Sequence, residues 1–87
     1  MSIGFRPHSP LPPAREQVLW RVHKDGRTAE ARVRFYSHGQ ELRVLVGDDP
    51  AWSRLYRQGE DLRELGHLSE GTRVLFEAKG WQRDPTL

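Results

Sequence analysis

The stretch RTAEARVRFY, residues 27–36, decides the fold. Small or apolar residues alternate strictly with polar ones. Ala29, Ala31, Val33 and Phe35 share one parity, and Glu30, Arg32, Arg34 and Tyr36 share the other. That period of two belongs to a half-buried strand. The run starts just after Asp25-Gly26, a pair suited to a type I′ hairpin turn because both central residues need positive φ.

Working outward, QVLWRVHK precedes the turn, with Val18, Trp20 and Val22 alternating against Leu19, Arg21 and His23. A two-residue loop at 25–26 pairs Val22 with Ala29, Trp20 with Ala31 and Val18 with Val33. It also sets Arg21 opposite Glu30 on the other face. His38-Gly39 offers a second turn, before QELRVLV, which pairs Phe35 with Leu42, Val33 with Val44 and Ala31 with Val46. Both turns bury the same face of the quoted strand, and that agreement specifies an antiparallel meander. GDDP makes a third turn, and AWSRLYR reads as a fourth strand.

Residues 59–79, GEDLRELGHLSEGTRVLFEAK, change to a helical period through Leu62, Leu65, Leu68 or Ser69, Thr72, Leu75 and Phe76. Glu60 and Asp61 suit a helix start, and Lys79 before Gly80 suits a stop. Gly66 and Gly71 mark where the helix is weakest. The predicted fold is α+β: a four-stranded antiparallel β-meander with one C-terminal α-helix packed on one face. Its core comprises Val18, Trp20, Val22, Ala31, Val33, Phe35, Leu42, Val44, Leu55, Leu62, Leu65, Leu75 and Phe76, with Trp81 folding back to close one end. Residues 1–15 hold four of the six prolines and read as a disordered or polyproline-like tail. The domain then spans 16–81, and 82–87 form a second tail. The PLPP within the first tail suits an aromatic groove.

The outer sheet face carries the functional signal. If Asp48-Asp49 forms a two-residue loop, Trp52, Arg54 and Tyr56 join Arg21, Arg32, Arg34, Tyr36 and Arg43 on that face, and Ser53 and Leu55 point inward. Arg34, Arg43 and Arg54 then lie side by side across three strands. A single bulge within GDDPA would turn Trp52 and Tyr56 inward instead. Like charges placed directly opposite destabilise a sheet, so an arginine row calls for a reason. Arginines interleaved with aromatics form a surface for single-stranded RNA or DNA, with guanidinium groups on phosphates and rings under bases. The same residue types also build protein interfaces, so a protein partner or a homodimer through this face, or through the edge of the fourth strand, is the alternative.

Composition bounds these readings. The chain has 87 residues, a net charge of +2 and no cysteine. That excludes a disulfide framework and thiolate metal sites, and it fits a cytoplasmic protein. No apolar run approaches a membrane span, and no secretory signal pattern opens the chain. Twelve arginines stand against two lysines. Arginine suits bidentate phosphate or carboxylate recognition, although a GC-rich genome also favours it. His8, His23, His38 and His67 lack metal-ligand spacing. No phosphate loop, nucleophile elbow or zinc helix occurs. A non-enzymatic module without cofactor or metal is expected.

The segments LWRVHKDGRTAEARVR, GQELRVLV, WSRLYR and FEAKGW, covering most of residues 19–81, resemble a group of small uncharacterised bacterial proteins. This implies a shared fold and transfers no activity. Four strands followed by a helix are also similar, in topology only, to one Whirly or PUR-type nucleic-acid-binding repeat. PUR-type repeats work in pairs, so that resemblance implies a dimer.

Overall fold

A computed structural model describes residues 15–85. The proline-rich stretch expected to be a tail lies outside the described residues, except for Arg15. Four strands follow one another as a meander: β1 (Arg15–Lys24), β2 (Arg27–Tyr36), β3 (Gly39–Val46) and β4 (Asp49–Arg57). Helix α1 (Arg63–Ala78) follows, and a short β5 (Gln82–Arg83) closes the described chain. All pairings are antiparallel, in the order β4-β3-β2-β1-β5. The α+β class and the meander stand as read from sequence. The sheet is widened by β5, which pairs Gln82 with His23 and Arg83 with Val22.

The first hairpin has the expected register. Asp25 and Gly26 take φ of 51° and 77°, and Val22, Arg21 and Trp20 face Ala29, Glu30 and Ala31. Beyond Trp20 the register shifts at a bulge on Leu19, so Val18 pairs with Arg32 and Glu16 with Arg34. Val18 therefore leaves the predicted core for the outer face. Leu19, counted with the outer residues, packs instead against the core. A bulge adds one unpaired residue and reverses every face beyond it.

The second turn is Ser37-His38 rather than His38-Gly39, with Tyr36 opposite Gly39. Val33 now faces Leu42, and Ala31 faces Val44. This slide of two residues keeps every side chain on its predicted face. Gly39 is required within the strand, because a Cβ there would collide with the Tyr56 carbonyl. The third turn is Gly47-Asp48, where Gly47 supplies a φ of 64°. Pro50 then faces Leu45, and Trp52 faces Val44, leaving Ala51 as the extra residue of a second bulge. Edge strands accommodate such a bulge and a proline that lacks a donor. The gain is burial of aromatic surface: Tyr56 is 1% exposed.

Helix α1 is continuous through Gly66 and Gly71. It begins three residues later than Glu60, where the Arg63 N–H donates to Asp61 Oδ1 at 2.9 Å. It ends in a left-handed Gly80 at φ 97°. Gly80 N–H donates to the Glu77 carbonyl at 3.0 Å, and Trp81 N–H donates to the Phe76 carbonyl at 3.1 Å. This paired closure is the Schellman arrangement, and it drives Trp81 into the core, edge-on to Phe76 at 5.1 Å.

The helix crosses the inner sheet face diagonally. Its first turn is tied to β4 by Arg54 and Glu64, 2.8 Å apart. Its last turn is tied to the β1–β2 hairpin, where Lys24 Nζ donates to the Lys79 carbonyl at 2.6 Å and Arg27 lies over the Trp81 ring. Between these ends Leu65, Leu68, Ser69 and Phe76 pack on Trp20, Val22 and their neighbours. Trp20 Nε1 donates to both the hydroxyl and the carbonyl of Ser69, at 3.0 and 3.1 Å. Three predicted core residues are instead exposed: Leu62, Leu75 and Leu55. The first two flank a buried stripe narrower than the period suggested. Leu55 turned outward with the Ala51 bulge.

Candidate binding surface

The eight residues singled out from sequence divide between two faces. Arg21, Arg32, Arg34, Tyr36 and Arg43 share the outer face of β1–β3, as expected. Trp52, Arg54 and Tyr56 lie on the inner face, opposite Val44, Leu42 and Gln40. The predicted row of Arg34, Arg43 and Arg54 is therefore absent. Arg34 faces Glu41, and Arg43 faces Arg32 on one side and Ser53 on the other.

The outer arginines direct their donors at carboxylates. Glu30 is 6% exposed and lies between Arg21, whose Nε donates to it at 2.8 Å, and Arg32, which donates to its other oxygen. Glu16 accepts from Arg34 at 2.9 and 2.7 Å and from Arg32 at 3.2 Å, and Arg43 approaches it to 3.8 Å. Tyr36 donates to Glu41 at 3.1 Å and stacks on His38. The carboxylate of Asp84 sits 4.0 Å from Arg21. Four guanidinium groups thus meet three carboxylates, Glu16, Glu30 and Asp84.

These contacts set the protonation behaviour. Hydrogen bonding from Arg34 holds the Glu16 carboxyl below its ordinary value, with added attraction to Arg32. Burial pushes Glu30 up, but hydrogen bonds from Arg21 and Arg32 outweigh it, and the net displacement is downward. Arg32 and Arg34 are held more firmly protonated by their bonds to Glu30 and Glu16. The Arg32–Arg43 juxtaposition, a cost in isolation, is moderated by Glu16 between them.

Sequence reasoning missed Glu16. In the unbulged register it pairs with Phe35 and points inward, so no feature short of the bulge places it here. It also missed a second cluster. Thr28 Oγ1 lies 3.2 Å from His23 Nδ1, and Asp84 Oδ2 lies 3.3 Å from His23 Nε2. Hydroxyl, imidazole and carboxylate in that order can relay a proton, but His23 is half exposed and water competes for each bond. With the Asp84 N–H donating to the Arg21 carbonyl at 2.8 Å, the cluster ties the segment after β5 to β1. Residues 61 positions apart leave no local signature.

The inner face offers a different kind of surface. A helix about 10 Å wide covers roughly two strands of a sheet spaced at about 4.8 Å. The diagonal of α1 therefore leaves two corners open. One lies beside the β3–β4 turn, where Val46 and Trp52 are only partly buried. Residues 64, 68, 71 and 75 form one stripe of the helix, and the Arg54–Glu64 pair places that stripe on the β4 side. Leu75, 64% exposed, therefore overlooks this corner. Along the free edge of β4, Arg57 N–H is already occupied by Glu60 Oε1 at 2.6 Å. Pro50 and the Ala51 bulge blunt the other end, in the manner of edges protected against strand addition.

Among the described residues no cluster of metal-ligating side chains occurs, and no helix is long and apolar enough to cross a membrane. Compared with protein-family models, curated proteins and solved structures, the chain matches none.

Proposed function

We propose that this chain is a non-enzymatic protein-interaction domain that self-associates through the open inner corner formed by Val46, Trp52, Leu68 and Leu75. One observation carries the reading: the only helix among the described residues lies across the sheet at a slant and leaves a partly exposed tryptophan and a leucine that is 64% exposed on facing walls. A domain this small gains disproportionately from burying such surface against a partner. Tryptophan at the centre of a patch is a common anchor of interfaces. A second copy is the occupant that a two-fold arrangement supplies, because the same corner then serves both sides. The cysteine-free chain suits a cytoplasmic setting for such a domain.

Single-stranded nucleic acid is the less favoured occupant. That expectation rests on aromatics interleaved with free arginines. Here Trp52 and Tyr56 are on the other face, and the arginines are engaged by Glu16 and Glu30, with Asp84 near Arg21.

Sedimentation over a range of concentrations tests the proposal. The full chain should pass from monomer to dimer, and Leu75→Glu should stay monomeric with an unchanged circular dichroism spectrum. A chain that stays monomeric at the highest concentration, or a variant that dimerises as before, would overturn it. Added single-stranded oligonucleotide at low salt should not shift the mobility of the chain.

A further inference from the structure

We propose that the second copy docks with its β4 antiparallel to this one, so that Asp49 at the start of each β4 meets Arg57 at the end of the other. This orientation rests on the self-association proposed above and adds the contacts that select its geometry. The free edge strand carries opposite charge at its two ends. Asp48 and Asp49 are exposed at its start, and among the described residues neither belongs to an ion pair. Arg57 is exposed at its end, opposite Gly39, which has no side chain to hold it. The carboxylates that follow are already engaged. Glu60 accepts from the Arg57 N–H at 2.6 Å, Asp61 accepts from the Arg63 guanidinium at 2.9 Å, and Glu64 lies 2.8 Å from Arg54. Among the described residues the Arg57 guanidinium is thus left without an ion-pair partner at this end.

Position selects the axis. Asp49 and Arg57 lie four residues to either side of Ser53, each about 13 Å away at ~3.3 Å per residue. A half-turn about an axis through that midpoint, perpendicular to β4, exchanges the two positions between copies. Trp52, beside the axis, then meets its counterpart at the centre of the contact, where an aromatic anchor contributes most. A half-turn about an axis along β4 would instead set Asp49 against Asp49 and Arg57 against Arg57, and like charges in register oppose that arrangement. Both charged ends lie on the outermost strand, so no further strand stands between them and the incoming copy.

Sedimentation of charge-reversal variants at low salt tests this orientation. Asp49→Lys alone and Arg57→Glu alone should each weaken dimerisation by about tenfold or more, because each homodimer sets like charges together twice. An equal mixture of the two should dimerise about as well as the unmodified chain, since every end-to-end contact in the heterodimer joins opposite charges. Asp48→Lys, in the turn, replaces Asp49→Lys should the latter lose the circular dichroism spectrum of the native chain. Single reversals that dimerise as well as the unmodified chain would overturn the orientation and leave the self-association standing. So would weakened single variants whose mixture shows no recovery. An unmodified chain that stays monomeric would overturn both.

Discussion

Glu16 stands opposite Arg34 across β1 and β2 and accepts two hydrogen bonds from its guanidinium, at 2.9 and 2.7 Å. The same carboxylate is bonded to Arg32 and lies near Arg43, so it is the one group that three arginines share. Glu16→Gln keeps the shape and removes the charge. It should lower stability by about 0.5–1 kcal/mol, the upper part of the range for surface ion pairs because several charges converge. The deficit should shrink at high salt, where the arginines repel one another less. Urea unfolding of both proteins at low and high salt checks this.

Acid should loosen the outer face first. The Glu16 and Glu30 carboxyls are held below their ordinary value of 4.5 in the folded chain. As pH falls, the unfolded chain takes up these protons before the folded one, so stability must fall. The contribution is complete above about pH 4.5 and is lost as pH drops through the lowered folded-state values. Melting temperatures measured from pH 6 to pH 2.5 should decline, and Glu16→Gln with Glu30→Gln should flatten that decline.

The Trp20 indole N–H ties the sheet to the helix through both acceptors of Ser69. Ser69→Ala leaves the carbonyl in place and should cost at most about 1 kcal/mol. Trp20→Phe should cost more, about 2–4 kcal/mol, because it removes buried surface and strands a buried hydroxyl. Equilibrium unfolding of the two variants should rank them in that order.

Gly39 and the two helical glycines should respond in opposite directions. A Cβ at Gly39 meets the Tyr56 backbone, so Gly39→Ala should destabilise by about 1–3 kcal/mol. A Cβ at Gly66 or Gly71 meets nothing within 4 Å. Gly66→Ala and Gly71→Ala should each stabilise by roughly 0.5–1 kcal/mol through helix propensity, and the two gains should add. Thermal melts of the three single variants and the helical double variant check both signs.

These contrasts show where the sequence was legible. Period and turn chemistry carried the meander: Asp25-Gly26 specified its hairpin to the residue, and the alternation through 29–35 specified the buried face of β2. The second turn moved by one residue, which slid the pairing by two without consequence, because a slide of two leaves parity intact. Parity failed only at Leu19 and Ala51. A bulge residue has no distinguishing composition, and what selects it is tertiary: the core accepts Leu19 at one site and Tyr56 at the other. The candidate site inherited that failure. Five outer residues were placed correctly. Trp52, Arg54 and Tyr56 moved together to the other side, and Glu16, the carboxylate that pairs the arginines, was not singled out, because only the bulge brings it to their face. The helix period was legible, but the width of its buried stripe was not, because that width depends on the slant of α1 across the sheet.

The bulge at Leu19 has a consequence for how such surfaces diverge. With the bulge kept, deleting one residue between it and Glu16, such as Gln17, would move Glu16 opposite Val33 on the inner face and leave Arg32, Arg34 and Arg43 without their shared counter-ion. No arginine would be gained and no acid lost, yet a balanced face would become a cationic one. For this domain the sign of the outer potential is governed by the length of β1 rather than by its composition. A one-residue insertion or deletion, ordinarily read as a structural accident, would act here as a change of electrostatic identity.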